Sequence, residues 1–384
     1  REIARESIVL LKNEGALLPL QPEKLSTLAV VGALANDGLS MLGSWRAQGR
    51  AEEVVTILQG FERAAPKLKV VYAAGADPRS ADTSGIDAAV AAVQAADATV
   101  LVIGEHFDLS GEARSRSDIS IPPSQIELAK RVLATGKPVV VVLANGRPVE
   151  MPWLAENAPA ILETWMLGVE AGPAIADVVF GKYSPGGKLP AAFPRTTGTV
   201  PFYYAAYPTG RPADPDLSKA TARYMDQPIT PLYPFGHGLS YTQFEYSNLR
   251  IDRERIAADG EVTVSVTVRN VGAVTGDEVV QLYVRDPIAS VARPVKELRG
   301  FKRVTLAAGE AARVSFRLAA RQLALFGLDN QWRVEPGRID VMVGSSSADI
   351  RATSAFEISN ALVTDVPAAA IPTAVSVERL AAGS

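Results

Sequence analysis

Two loops carry the residues whose types and spacing suit chemistry. The first, "SGEARSRSDISIPPSQ" (Ser110 to Gln125), follows the apolar run "TVLVIG" and holds Glu112, Arg114, Arg116 and Asp118. The second, "ALANDGLSMLGSWRAQGR" (Ala33 to Arg50), follows "TLAVVG" and holds Trp45. A positioned carboxyl group moves protons, and an indole offers a flat apolar face on which one side of a pyranose ring stacks. If both apolar runs are parallel strands, both loops leave the same sheet edge, and Trp45 and Glu112 face one site. Each residue also has a plainer reading. A glutamate in a polar loop is commonly solvated or paired with a neighbour, here Arg114 or Arg116, and a lone tryptophan is commonly core or interface. His106 lies beside the proposed site, where it suits a hydrogen bond to a sugar hydroxyl or a structural role equally well.

Other chemistries lack support. The chain has 384 residues, 47% hydrophobic and 21% charged, with a net charge of -3. That is the composition of a globular protein with room for two or three domains. It provides no broad basic field, so neither nucleic acid nor an anionic membrane is an expected partner. With no cysteine there is no disulfide, thiolate metal site or cysteine nucleophile. The two histidines, His106 and His237, are too far apart in sequence to suggest zinc, and no metal or organic cofactor is expected. "GKYSPGGKL" (Gly181 to Leu189) is one residue off the spacing of a phosphate loop, and Leu189 stands where Ser or Thr should bind magnesium. No G-x-S-x-G elbow is present. No apolar run reaches the roughly 18 residues of a membrane span. The sequence opens on Arg1, which suggests a piece of something longer.

The elements that must position these loops read as follows. Residues 1–205 alternate short apolar runs, starting at Thr27, Leu68, Ala98, Lys137 and Ala160, with helical segments at Gly85–Asp97, Pro123–Gly136 and Glu170–Gly181. Strands apolar on both faces and spaced by helices predict a mostly parallel sheet covered on both sides. The opening "REIARESIVLLKN" has helical spacing, with Ile3, Ser7, Leu10 and Leu11 on one side. Residues 206–245, rich in Pro, Gly, Tyr and Asp, read as a long ordered connection. From 246 to 358 the period becomes two, as in "VTVSVTVRN", "RVSFRL" and "RIDVMVG", which predicts an antiparallel β-sandwich. "DEVVQLYVRD" (Asp277 to Asp286) belongs to it as a strand. The tail, 359–384, has no clear assignment.

Five stretches, in order, resemble glycoside hydrolase family 3, the β-glucosidase and β-xylosidase family. They are "ESIVLLKNEGALLPL" (Glu6 to Leu20), the "SGEARSRSDISIPPSQIEL" loop, the segment from Ile161 to Tyr204, "LYPFGHGLSYTQFEYSNL" (Leu232 to Leu249) and "RPVKELRGFKRVTLAAGE" (Arg293 to Glu310). The Ser115–Arg116 pair is similar to that of the periplasmic bacterial β-glucosidase branch, where many fungal relatives have Asp-Arg. The resemblance implies an α/β sandwich followed by a fibronectin type III-like, immunoglobulin-type all-β domain. It implies a periplasmic or secreted location. It also implies a (β/α)8-like barrel that supplies the aspartate nucleophile and most contacts to the first sugar; nothing in this chain matches that barrel.

Within the resemblance, Glu112 falls on the family's general acid/base. Trp45 falls on an aromatic loop near the leaving group, and Arg116 on an arginine that orders the acid/base loop. The implied activity is retaining hydrolysis of a terminal β-D-glucosyl residue, in a β-linked oligosaccharide or an aryl or alkyl glycoside. The chain alone would then lack the nucleophile. The barrel is expected as a covalently attached domain or as a separate partner chain. The contrasting expectation is a non-catalytic carbohydrate-binding or scaffold protein derived from such an enzyme.

Overall fold

The computed structural model describes residues 1–214, 216 and 218–381. The opening segment departs from the helical spacing read in its sequence. Helix α1 (Glu2–Ser7) stops where Ile8 turns extended, at φ -67° and ψ 128°. Strand β1 (Val9–Asn13) follows at once. Ile8 and Leu10 enter one core layer while Val9 and Leu11 enter the other. That alternation is a strand's period, and it wins over the 3.6-residue spacing because Ile3 is exposed and anchors nothing.

Five more strands complete the first sheet: β2 (Thr27–Val31), β3 (Lys69–Ala73), β4 (Ala98–Gly104), β5 (Val139–Ala144) and β6 (Ala160–Glu163). Their order is β1-β6-β5-β4-β2-β3. Every neighbouring pair is parallel except β1 with β6. The central strands are buried on both faces; the edge strand β3 is half-exposed, since it has a neighbour on one side only. Helices α2 (Gly38–Leu42), α3 (Ile57–Ala64), α4 (Ile86–Gln94), α5 (Pro123–Leu133), α6 (Pro152–Asn157) and α7 (Ala171–Val179) connect or follow these strands. One core layer packs the sheet against α3 and α7, the other against α4, α5 and α6. The sheet and its helices therefore form the mostly parallel, doubly covered sheet expected from the pattern, the α/β sandwich that the resemblance implied.

One compact unit comprises Arg1–Phe202 together with Pro231–Tyr233 and His237–Tyr241. The returning stretch bridges Tyr233 to Phe193 and Leu239 to Leu10. The Tyr241 hydroxyl donates to the Val178 carbonyl at 2.9 Å.

The second unit is all-β. Its strands are β7 (Phe244–Ile251), β8 (Arg255–Ile256), β9 (Glu261–Asn270), β10 (Gly276–Arg285), β11 (Glu297–Leu306), β12 (Ala311–Ala319), β13 (Leu325–Phe326), β14 (Trp332–Val334), β15 (Gly337–Gly344), β16 (Ile350–Ile358), β17 (Leu362–Thr364) and β18 (Ala374–Leu380). They form sheets ordered β11-β10-β15-β16-β8, β18-β12-β9-β7 and β13-β14-β17. Val262, Val264, Val266 and Val268 point alternately inward from β9 into the core. The described part of the tail is structured: β18 pairs antiparallel with β12 along its whole length. Among the described residues no helix is long and apolar enough to cross a membrane.

Asn270, fully buried at the end of β9, holds the sandwich loops by its amide. Its Nδ2 donates to the Val274 and Leu306 carbonyls at 2.8 Å each, and its Oδ1 accepts from Thr242 at 2.6 Å and from the Gly272 amide at 3.0 Å. Replacing it with Ala removes these four hydrogen bonds, two of them fully buried. Asn270→Ala is therefore expected to destabilise this unit by about 3 kcal/mol, read as a lower urea midpoint with unchanged slope.

Candidate active site

The strand order turns Trp45 and Glu112 into neighbours. From β2 the chain crosses to β3 on one side, and from β3 it returns past β2 to β4 on the other. The connections diverge between β2 and β4, and a parallel sheet opens a crevice at the carboxyl ends of such a pair. The loops leaving β2 and β4 are the two that carry Trp45 and Glu112. They touch directly: the Ser44 hydroxyl lies against the Phe107 and Ser110 carbonyls, and shares its single proton with them. Gly111 makes the approach possible. Its φ is +117°, and a Cβ there would sit 2.6 Å from that of Ser44.

A cavity of about 300 Å³ opens between the loops, lined by Ser44, Trp45, Arg46, Phe107, Asp108, Glu112 and Arg114. Trp45 is 74% exposed, and Glu112 is exposed beside it. The Arg46 guanidinium lies 4.6 Å from the centroid of the Phe107 ring and holds that wall. An indole, two carboxyl groups and two guanidinium groups thus face one space. Such a set can stack a sugar, transfer a proton and bind hydroxyls. Among the described residues no cluster suits a metal ion.

The other two candidates lie elsewhere. His106 is 8% exposed and faces carboxylates with both ring nitrogens: Nδ1 is 2.6 Å from Asp108 and Nε2 3.5 Å from Asp37. It lines a separate depression of about 660 Å³ with Asp37, Tyr72 and Arg79. Arg116 turns inward. Its Nη1 donates to Glu105 at 2.8 Å and its Nη2 to the Ser120 carbonyl at 2.9 Å. Neither residue lines the Glu112 cavity, and neither arginine at 114 or 116 forms an ion pair with Glu112 among the described contacts.

Sequence reasoning passed over the buried polar row beneath the site. Glu105, Asn145 and Glu163, each at 0% exposure, stand at or just past the ends of β4, β5 and β6. The signal was available: each is a polar residue at the end of an unbroken apolar run. Glu105 takes Arg116, Arg147 (Nε at 3.1 Å) and the Gly146 amide at 3.3 Å. Glu163 pairs with no cation among the described residues. It accepts from the Trp165 amide at 2.8 Å and from Asn145 Nδ2 at 3.1 Å. Burial pushes its carboxyl up to about 8, with the nearby Glu105 anion adding to the effect against the lowering by those hydrogen bonds.

With the fold and cavity in view, comparison with known proteins assigns the chain. Residues 8–241 match the glycosyl hydrolase family 3 C-terminal domain. The chain belongs to glycoside hydrolase family 3. Residues 278–347 match a fibronectin type III-like domain, in agreement with the second unit. A periplasmic β-glucosidase of Salmonella typhimurium is 44% identical over 381 residues, covering 93% of this chain and 49% of that protein. A β-xylosidase of Formosa agariphila is 44% identical over 351 residues, covering 90% and 48%. The crystal structure of a Listeria innocua β-glucosidase in complex with glucose superposes with a TM-score of 0.88 at 38% identity, covering 94% of this chain and 49% of that one. The chain thus spans about half the length of the family 3 relatives it matches.

The raised carboxyl of Glu163 has a stability consequence. The folded state holds its proton up to about pH 8, whereas an unfolded glutamate loses it near pH 4.3. Between those values the folded form binds more protons, so stability falls as pH rises and levels off above the folded value. Glu163→Gln mimics the protonated form. It should raise the unfolding free energy at pH 8 by on the order of a few kcal/mol and change it little at pH 4.5, measured by urea titration at both.

Proposed function

We propose that this chain is the C-terminal part of a retaining β-glycosidase of β-glucosidase type, cleaving terminal non-reducing β-D-glucosyl residues, with Glu112 as its general acid/base. The observation that carries this reading is the shared cavity. An exposed carboxyl group and an exposed indole line one space at the sheet's switch point. Family membership supplies the chemistry, and the relatives named β-glucosidase and β-xylosidase supply the substrate class.

Retaining hydrolysis uses two carboxyl groups about 5–5.5 Å apart across the scissile bond. In the first step a nucleophilic carboxylate attacks the anomeric carbon, the glycosidic bond breaks, and Glu112 gives its proton to the departing oxygen. In the second, the Glu112 carboxylate takes a proton from water, the water oxygen bonds the anomeric carbon, and the nucleophile leaves. Trp45 carries the leaving-group sugar on its indole face. The nucleophile comes from the barrel, either as a preceding domain or as a partner chain, in keeping with the half of the relatives' length that this chain does not span. The barrel also builds the first subsite and decides between glucose and xylose. It brings burial and a neighbouring anion as well, the two influences that tune a general acid. The periplasm or the exterior of the cell is the proposed location, in line with the periplasmic relative.

Glu112→Ala in the active enzyme tests the assignment. Turnover of alkyl β-glucosides, whose leaving groups need protonation, should fall by about 10²–10⁴-fold. Azide, which needs no general base, should restore turnover of activated aryl β-glucosides and yield the β-glucosyl azide. A loss below tenfold, or no azide product, overturns the role of Glu112. The 384-residue chain purified alone should show no turnover; clear hydrolysis abolished by Glu112→Ala would refute the need for a barrel.

A further inference from the structure

We infer that Arg147, anchored on the buried carboxylate of Glu105, is the positioning residue that presents Glu112 to the cavity. This rests on the reading of Glu112 as the acid/base. Arg147 lies three residues past the end of β5. Its Nε donates to Glu105, and its Nη2 donates to the Leu109 carbonyl and to the Arg114 carbonyl at 3.0 Å. Leu109 and Arg114 bracket the four residues Ser110 to Ala113, with Glu112 among them. One planar guanidinium therefore ties together both ends of the bend that carries the acid.

The bend needs such a tie. Gly111 and Ala113, on either side of Glu112, have φ values of +117° and +57°. The second is the left-handed region, which alanine enters at a cost of about 1–2 kcal/mol. Within the bend the Arg114 amide closes onto the Gly111 carbonyl at 3.2 Å. The floor is equally tight, since a Cβ on Gly146 would lie 2.2 Å from the Ser110 hydroxyl oxygen. The same buried carboxylate reaches the far side of the loop. Arg116, bonded to Glu105, also donates to the Ser120 carbonyl. Glu105 thus holds two arginines, one gripping the bend and one gripping its exit.

Only a guanidinium meets this demand. It offers donors in a rigid plane, so Nε can face a carboxylate while Nη2 faces two carbonyls. Lysine keeps the charge but presents it at a point. A displacement of about 1 Å at a catalytic group is enough to lower a rate by about a hundredfold.

The test uses Arg147→Lys, with Glu105→Gln as a second variant that keeps the shape of the anchor. Amide hydrogen exchange on the 384-residue chain should show residues 110–116 exchanging at least about tenfold faster in Arg147→Lys, with β4 and β5 unchanged. Glu105→Gln should loosen the same segment by a smaller factor. In the hydrolase assembled from this chain and its barrel, kcat/KM, which reports glycosylation, should fall about a hundredfold for an alkyl β-glucoside. For a dinitrophenyl β-glucoside, which leaves without a proton, kcat/KM should change less than about threefold. Unchanged exchange of 110–116 in both variants overturns the clamp. A loosened loop with equal losses on both substrates overturns positioning of the acid and leaves Arg147 a structural residue. If Glu112→Ala itself shows no dependence on leaving group, the assignment of Glu112 fails, while the exchange result on the clamp stands independently.

Discussion

Glu105 has no exposed surface, and a carboxylate so buried loses several kcal/mol of hydration unless it is matched where it stands. Two arginines from different loops and one backbone amide provide the match. Arg116 comes from beyond the Glu112 bend and Arg147 from beyond the neighbouring strand β5, so the one charge fixes how three chain segments meet. A buried ion cluster of this kind is a weak source of net stability. Its strength lies in geometry, because few arrangements satisfy all of its donors and acceptors together.

The location of that cluster follows from the sheet. Parallel strands buried on both faces place successive carboxyl ends along one edge, and β4, β5 and β6 deliver Glu105, Asn145 and Glu163 there in a row. Charge is handled differently at the two glutamates. Glu105 has two cations and one backbone donor; Glu163 has, among the described residues, only neutral hydrogen-bond donors and keeps its proton toward pH 8. Above this row lie the loops of the cavity, with Trp45 and Glu112 exposed and Ser44 and Gly111 packed where the loops meet. A buried, hydrogen-bonded layer thus underlies the exposed side chains that line the cavity.

The second unit follows another rule. Its strands alternate, their inward valines fill the core, and one of its buried polar groups, Asn270, hydrogen-bonds through both Nδ2 and Oδ1. The last described strand, β18, completes a sheet although its sequence, "AVSVERL", is short and mostly exposed. Pairing with β12 along seven residues supplies what local hydrophobicity does not. Edge strands are commonly hard to read from sequence for that reason: their backbone partner, more than their own pattern, makes them strands.

The sequence by itself determined a good deal. Apolar runs spaced by helices specified the parallel sheet, period-two valines specified the sandwich, and five ordered stretches, the Glu112 loop among them, specified the family. Each is a local pattern, the first two caused by burial, and so it is written in residue order. Where local patterns conflicted, as at Ile8 to Leu11, tertiary pairing with β6 chose strand over helix. Only the tertiary structure decided which side chains meet. It brought Trp45 beside Glu112, turned Arg116 toward the buried Glu105 and His106 toward Asp37 and Asp108, and joined Arg147 to a loop more than thirty residues away in sequence. Contacts of that kind depend on strand order and on where a buried charge finds its partners, and neither is encoded in the spacing of residues along the chain.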